Sequence, residues 1–356
     1  MTRQAGTSLK KSGPAAEKAD VTYSSTRRAL LTGTALLAAG GPSVPAAASP
    51  ARTTGRAIRE RQVDDRLIEL TVDSAALGRT VPVALLTPRG WDRRKPGDRW
   101  PTLYLLAGGD GDHTTWATMF KVQELAELHD VLVVMPAMPL FGFWTDWWNH
   151  GRAGGPLVRT YFLREVIPLV ERDYGAGPCR AAAGESQGGF GALGMAARIP
   201  GLFGAVAAFS APFHPVRHPE MWLSGAAYVG LDGYAIWGDP WKQWDVWLDW
   251  DPYYRAEGLR NTPVYLSSGD GTPGPLDADE PEVHIPGTEK WIALFPDDVV
   301  SVTEAACGFE ARALDRRLKG LGAPVTTHVF PGTHTGTYGY RELRHALPIL
   351  LDALRP

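Results

Sequence analysis

Short apolar runs alternate with segments of helical periodicity along most of the chain. Residues 67–72 and 81–86 have the pattern of two strands of a hairpin, which turns at Gly78. The continuous apolar runs at 103–106 and 131–135 are typical of central strands that are covered on both faces. Further strands are predicted at 180–183, 205–209, 264–267 and 326–330.

Segments with helical spacing separate these strands. The pattern predicts helices over 117–128 and 157–174, another helix that starts near Gly189, and a closing helix over 340–354. Strands that alternate with helices indicate an α/β fold with a mostly parallel central sheet flanked by helices. Because no repeat or linker interrupts residues 61–356, we expect one domain there.

Composition places the chain among ordinary globular proteins, since 44% of its 356 residues are hydrophobic and 21% are charged. Its 36 Lys and Arg are balanced by 39 Asp and Glu, so no basic excess favours a nucleic-acid partner. Thirteen tryptophans are unusually many. Several crowd residues 213–260, which we expect to form a Trp-rich cap, and each either packs in a core or lines a substrate groove.

The N-terminal region has the pattern of an export signal. Arg27 and Arg28 precede a mild apolar run over 29–39 and a segment of small residues. This order is typical of a twin-arginine signal peptide. We therefore expect residues 1–48 to be removed and residues 49–60 to form a flexible mature N-terminus. The mature protein is expected to be secreted or associated with the cell envelope, without a transmembrane anchor, because the apolar run is too short to span a bilayer.

The two cysteines, Cys179 and Cys307, lie in neither a CxxC motif nor a metal-ligand spacing. An exported protein meets an oxidising environment, so a disulfide between them is one alternative. We favour two separate buried thiols, since nothing in the sequence brings their Cα atoms together.

One motif points to specific chemistry. Gly184-Glu185-Ser186-Gln187-Gly188 has the form GxSxG and lies between a short apolar strand and a helix. In this context the serine occupies a sharp turn with its hydroxyl exposed, and the flanking glycines avoid collisions with neighbouring backbone. The following helix directs its N-terminal N–H groups at developing negative charge. The motif predicts that Ser186 is a nucleophile.

A serine nucleophile needs a histidine base that a carboxylate orients, in the chain order Ser, acid, His. His334 lies in a loop directly after the last predicted strand, where this base belongs. His328 falls inside that strand and His345 inside the closing helix, where structural roles are expected. Two carboxylates are candidates for the acid: Asp270, which follows a strand, and Glu304, which lies 30 residues before His334. Position in the fold alone favours Asp270.

Several segments together resemble one family. They are the turn at 74–79, the loop at 104–109, and the segments 135–136, 144–147, 184–189, 269–273 and 332–334. The chain resembles the actinobacterial secreted esterases and mycolyltransferases, a group that includes the antigen 85 acyltransferases and is related to S-formylglutathione hydrolase. The resemblance spans about residues 66–350 and implies an α/β-hydrolase fold with a catalytic domain over 61–356.

Carried over to this chain, the family's nucleophile and base fall on Ser186 and His334. Its acid is a glutamate near the start of a helix, which matches Glu304, so the resemblance ranks Glu304 first and the aspartate second. Its oxyanion hole falls on the backbone N–H groups of Gly109 and Gln187. Two such donors are what a tetrahedral intermediate requires.

Departures from the family affect the expected substrate. Sugar-acylating members have an aspartate where this chain has Ala107, and an arginine nearby where this chain has Asp110 and Asp112. We therefore expect a secreted serine carboxylester hydrolase that acts on small-molecule, lipid or sugar esters, with Trp144 and Asp110 as candidate substrate-lining residues. The alternatives are an acyltransferase that uses an alcohol or sugar acceptor, and a non-catalytic envelope-binding protein on this scaffold.

No cofactor and no metal are expected from the sequence. Asp110, Asp112 and His113, with the acidic run at 277–282, fit no EF-hand loop and no zinc signature. We interpret them as solvated loop charges.

Overall fold

A nine-stranded mixed sheet forms the centre of the protein. The computed structural model describes residues 55–277 and 289–355. The strands are β1 Arg56–Gln62, β2 Leu67–Ser74, β3 Arg79–Leu86, β4 Trp100–Leu106, β5 Leu132–Pro136, β6 Ala176–Glu185, β7 Ala205–Phe209, β8 Val264–Gly269 and β9 Val325–Phe330. In space they follow the order β1-β2-β3-β5-β4-β6-β7-β8-β9.

The pairing of neighbouring strands changes once across the sheet, from antiparallel to parallel. The pairs β1–β2, β2–β3 and β3–β5 are antiparallel, and every pair from β5 through β4 to β9 is parallel. Tyr104 and Leu106 of β4 enter the core on one face, and Leu103 and Leu105 enter the core on the other. Burial on both faces explains the continuous apolar runs. The predicted α/β fold with a mostly parallel sheet is confirmed.

The first strand differs from the sequence prediction. Residues 49–60 were expected to be flexible, but Arg56–Gln62 form β1 and pair with β2 along the edge of the sheet. The polar sequence RAIRERQ has no apolar alternation, because an exposed edge strand is held by backbone hydrogen bonds rather than by a buried face. Residues 49–54 and the predicted signal peptide, residues 1–48, lie outside the described residues.

Helices cover both faces of the sheet. They are α1 Thr115–Thr118, α2 Val158–Thr160, α3 Ile167–Asp173, α4 Gln187–Arg198, α5 Pro219–Tyr228, α6 Gly233–Trp237, α7 Trp244–Trp250, α8 Glu289–Ile292, α9 Val302–Gly320 and α10 Thr337–Asp352, with a π-helical turn at Tyr161–Val166 that joins α2 to α3. Among the described residues, no helix combines the length and the apolar character needed to cross a membrane.

The helix predicted over 117–128 is wrong. The chain instead forms α1 and two single 3₁₀ turns, Val122–Glu124 and Ala126–Leu128. Lys121 has a left-handed backbone (φ 47°) and Leu125 is extended, so neither residue continues a helix. The apolar residues still point inward, which is why their spacing resembled a helix.

Residues 213–260 form the predicted Trp-rich segment. They carry α5, α6 and α7, whose apolar side chains form a cluster with Phe190 of α4. The rings of Trp237 and Trp247 are buried and meet edge to face, with centroids 5.0 Å apart. Trp241, in contrast, is 66% exposed. The segment is therefore built around buried rings and packs beside the start of α4.

The glycines of the GxSxG region let α4 pack closely on the sheet. A Cβ atom on Gly188 would collide with the carbonyl oxygen of Leu106, at the end of β4. A Cβ atom on Gly184 would collide with the backbone of Gly188. Gly194 lies on the same helix, and the nearest atom to a Cβ there is the carbonyl oxygen of Trp250, at 3.9 Å.

These contacts predict opposite effects of two alanine substitutions in α4. Gly188→Ala should destabilise the protein by about 3 kcal/mol or more, because backbone atoms must move. Gly194→Ala should stabilise it by about 0.5–1 kcal/mol, since alanine is the better helix former and meets no close neighbour. Urea unfolding followed by circular dichroism measures both changes. Equal effects of the two substitutions would contradict close packing of α4 on β4 at Gly188.

Glu310 of α9 is a carboxyl group with no exposed surface. Its Oε2 accepts a hydrogen bond of 2.9 Å from the backbone N–H of His214, and its Oε1 has no partner among the described residues. Burial, and secondarily the charge of Asp251, raises the pKa of Glu310 to about 8.

The raised pKa predicts that the protein loses stability as the pH rises from about 5 to about 8. A carboxyl whose pKa rises on folding stabilises the fold fully below its unfolded pKa, and this contribution is lost as pH rises through the folded value. The melting temperature should therefore fall between about pH 5 and about pH 9. In Glu310→Gln, the unfolding free energy should decrease less over this range, by up to a few kcal/mol. Differential scanning calorimetry of both proteins tests this. Identical pH slopes would contradict it.

Candidate active site

Ser186 occupies the turn between β6 and α4. Its backbone angles, φ 51° and ψ −122°, are ones that residues with a side chain rarely adopt. The backbone N–H of Ser186 donates to the carbonyl of Phe209 on β7, at 2.8 Å, which holds the turn on the sheet. This conformation places the hydroxyl at the carboxyl ends of the parallel strands, where ligands of α/β sheets bind.

His334 reaches Ser186 from the loop between β9 and α10. Its Nε2 lies 3.2 Å from the Oγ of Ser186. The loop is anchored at and just before this residue, because the N–H of His334 donates to the Oγ of Ser301 at 3.3 Å and Thr333 donates twice to Asp277. The imidazole is therefore held against the serine by contacts outside the pair.

Glu304 completes a hydrogen-bonded chain from the first turn of α9. Its side chain has no exposed surface, and its Oε2 lies 2.6 Å from the Nδ1 of His334. Its other oxygen, Oε1, accepts from the hydroxyls of Ser210 and Ser268, both at 2.8 Å, and from the N–H of Gly269 at 2.5 Å. These donors satisfy the oxygen of the buried carboxyl group.

Asp270, the second candidate acid, points elsewhere. Its Oδ1 accepts from the backbone N–H of Thr272 at 3.0 Å and from the hydroxyl of the same residue at 2.6 Å. This is a local turn at the end of β8, and the carboxylate makes no hydrogen bond with His334. Of the two candidates, the structure places Glu304 against the histidine.

Gln187 and Gly109, the residues expected to form an oxyanion hole, lie side by side. Gln187 is the first residue of α4, and Gly109 follows β4. Within the part of the chain that the structure describes, neither backbone N–H donates a hydrogen bond. The side chain of Gln187 also accepts from the N–H of Phe143 at 3.2 Å and fills the space that a Cβ on Gly109 would need. A side chain at position 109 would therefore force the end of the Gln187 side chain to move.

Glu185 is a site residue that the sequence analysis did not single out. Its carboxyl group packs against Gly108, beside the nucleophile. Burial is the main cause that raises the pKa of Glu185 to about 7; the charge of His334 opposes the change, and the charges of Asp110 and Glu304 add to it. A carboxyl group next to Ser186 thus changes charge near neutral pH. The sequence alone does not indicate that the first x residue of a GxSxG motif lies beside the nucleophile or has a raised pKa.

The two candidate substrate-lining residues differ in position. Trp144 has no exposed surface, and its Nε1 donates to the carbonyl of Ala107 at 3.1 Å. It therefore supports the loop after β4 from inside the core, and the expectation that it lines a substrate groove is wrong. Asp110 is exposed in that same loop, close enough to influence the pKa of Glu185.

The cysteines are not joined by a disulfide. Cys179 is half-buried and Cys307 is buried, so the expectation of two buried thiols holds only for Cys307. Cys307 lies one turn after Glu304 on α9, and its sulfur lies within 4.8 Å of ligand atoms of Glu304 and His334. These three residues are the group near Ser186 that could hold a metal ion.

The arrangement is suited to acyl transfer through a serine. A hydroxyl, an imidazole and a buried carboxylate are connected in that order by distances of 3.2 and 2.6 Å. An imidazole can remove the proton of a hydroxyl when a carboxylate holds its other nitrogen. Two free backbone N–H groups nearby could stabilise an oxyanion.

Comparisons with known proteins agree with this architecture. A protein of Mycobacterium tuberculosis named as an esterase is 29% identical over 295 residues, which is 78% of this chain and 58% of that protein. The MPT51 antigen of Mycobacterium leprae is 30% identical over 219 residues, 59% of this chain and 67% of the antigen. The chain thus spans just under three fifths of the length of the first of these relatives.

Solved structures show the same fold at lower identity. MPT51 of Mycobacterium tuberculosis superposes with a TM-score of 0.63 at 24% identity, over 80% of this chain and 98% of that one. An S-formylglutathione hydrolase from Agrobacterium tumefaciens superposes with a TM-score of 0.59 at 14% identity, over 83% and 99%. The resemblance to antigen 85-like proteins and esterases is confirmed. Since the esterase family model matches residues 74–348, most of the chain, the protein belongs to the esterase family.

Proposed function

We propose that the protein is a serine carboxylester hydrolase that forms an acyl-enzyme on Ser186. The observation that carries this proposal is the continuous contact from the Oγ of Ser186 through His334 to the buried Glu304. Membership of the esterase family and the strained backbone at Ser186 support it.

Each group has a defined role in the proposed reaction. The Nε2 of His334 takes the proton of Ser186 as the Oγ attacks the ester carbonyl. Glu304 stabilises the imidazolium that forms, and the N–H groups of Gly109 and Gln187 stabilise the oxyanion. The imidazolium then protonates the leaving alcohol, which leaves an acyl ester on Ser186. A water molecule, activated by the same imidazole, releases the acid and restores the serine.

Hydrolysis is preferred to transfer of the acyl group to a sugar. The loop after β4 has Ala107 and the exposed Asp110 where the sugar-acylating proteins that the sequence resembles carry an aspartate and a nearby arginine. An acyltransferase would need a site that admits an alcohol and excludes water.

A fluorophosphonate probe and graded p-nitrophenyl esters test the proposal together. The probe should label Ser186, located by mass spectrometry of the peptide, and the esters should be hydrolysed with a preference for one acyl length. Added alcohol should leave the release of acid nearly unchanged if the protein is a hydrolase. Absence of labelling together with absence of hydrolysis would favour the binding-protein alternative.

We further propose export by the twin-arginine route, on the sequence of residues 1–48. Replacement of both Arg27 and Arg28 by lysine should leave the uncleaved protein inside the cell. Unchanged export of this double variant would exclude the route.

A further inference from the structure

Two histidines and a buried glutamate meet where β9 lies beside α10. His328 is on β9, and Glu342 and His345 are three residues apart on α10, so they share one face of the helix. The Nδ1 of His328 lies 3.1 Å from the Oε2 of Glu342, and the Nδ1 of His345 lies 3.8 Å from its Oε1. All three residues offer a ligand atom within 4.8 Å of the others.

We propose that His328, Glu342 and His345 form a binding site for one Zn²⁺ ion, separate from the site of Ser186. Two imidazoles and one carboxylate are a donor set that zinc prefers. Ligand atoms around a tetrahedral zinc lie roughly 3.3 Å apart, as follows from bonds of about 2.0–2.2 Å. The nitrogen–oxygen separations, 3.1 Å to Oε2 and 3.8 Å to Oε1 of Glu342, lie on either side of that value. All three ligand atoms lie within 4.8 Å of one another, so rotation of the side chains can bring them to one ion.

The surroundings of Glu342 fit a metal ligand. Its side chain is only 1% exposed, and the hydroxyl of Tyr265 donates to its Oε2 at 2.8 Å. Such a second partner orients a ligating carboxylate. The side chains of His328 and His345 are 39% and 51% exposed, so an ion can enter from solvent and keep a water molecule as its fourth ligand.

One neighbouring cation competes for the same carboxylate. The Nε of Arg341 lies 2.6 Å from the Oε1 of Glu342, and its guanidinium stacks over the rings of Phe330 and Tyr338. Without metal, Arg341 neutralises the buried carboxylate. Because a bound dication and Arg341 repel each other, removal of this charge should strengthen zinc binding. A surface histidine that binds metal on its own would not respond in this way.

Calorimetric titration of the chelator-treated, full-length protein with Zn²⁺ tests the site. We expect one ion per chain, and affinity at least roughly tenfold lower in His345→Ala and in His328→Ala. Tyr265→Phe should weaken binding by about tenfold, and Arg341→Gln should strengthen it. His150 is a matched control, since it also contacts a carboxylate, Asp232 at 2.8 Å, and it is absent from the groups of metal-ligating residues among the described residues.

The outcomes separate this site from the one near the nucleophile. Zinc bound at His328 and His345 should leave p-nitrophenyl ester hydrolysis unchanged, and His150→Ala should bind zinc like the native protein. If the two histidine variants bind zinc as tightly as the native protein, the proposal is wrong. It is equally wrong if zinc blocks hydrolysis and Cys307→Ser abolishes binding, which would place the ion near Glu304 and His334. Absence of saturable binding would also overturn it.

Discussion

Ser186→Ala should lower kcat/KM for a p-nitrophenyl ester by about 10⁵- to 10⁶-fold, because the reaction loses its covalent intermediate. The proposed oxyanion hole is formed by backbone N–H groups and does not involve the serine hydroxyl. A residual rate of about 10³-fold over the uncatalysed reaction should therefore remain. Initial rates, measured with circular dichroism to show that the fold is retained, give the comparison.

Ser224→Ala is the matched control for this prediction. Ser224 lies on α5, in the Trp-rich segment, and makes no hydrogen bond with the three residues of the site. This variant should retain the native rate. Retention of most of the activity in Ser186→Ala would show that ester hydrolysis by this protein does not pass through Ser186.

Replacement of Glu304 by glutamine should lower kcat by about 10³- to 10⁴-fold, with a smaller change in KM. A neutral amide cannot stabilise the imidazolium that forms on His334, and it can hold the ring in the wrong tautomer. Glutamine keeps the size of the side chain, although its amide nitrogen would face one of the donors that now meet the carboxylate. Thermal unfolding must therefore accompany the kinetics, so that lost activity is measured on folded protein.

Asp270→Asn is the control for the acid. Among the described residues its carboxylate accepts hydrogen bonds from Thr272 and none from His334, so we expect at most a few-fold change in kcat. A large loss in Asp270→Asn with native activity in Glu304→Gln would assign the acid to Asp270. The proposed roles of Ser186 and His334 would stand in that case, because neither depends on which carboxylate orients the histidine.

Much of the fold could be predicted because its signals are local. The buried strands read as continuous apolar runs, and the turn around Ser186 needs glycines at fixed offsets from the serine. Predictions of secondary structure were wrong where the local pattern was ambiguous. Apolar residues that point inward from separate 3₁₀ turns have the spacing of a helix, and the polar edge strand β1 has no apolar alternation.

The site was predictable in part for the same reason. GxSxG marks Ser186, and a loop after the last strand marks His334. Position in the fold favoured Asp270 as the acid, and only family resemblance favoured Glu304. The structure adds a physical reason for that preference, because Ser210, Ser268 and Gly269 together solvate the carboxylate of Glu304 inside the protein.

The sequence by itself determined the order of strands β2 to β9, the strand-turn-helix context of Ser186 and the loop position of His334, since each depends on neighbouring residues. Tertiary structure decided which distant side chains meet. It buried Trp144 in the core, placed the carboxyl group of Glu185 beside the nucleophile, and brought His328 to Glu342. Contacts of this kind depend on how helices pack on the sheet, and long-range packing leaves no periodic signal in a single sequence.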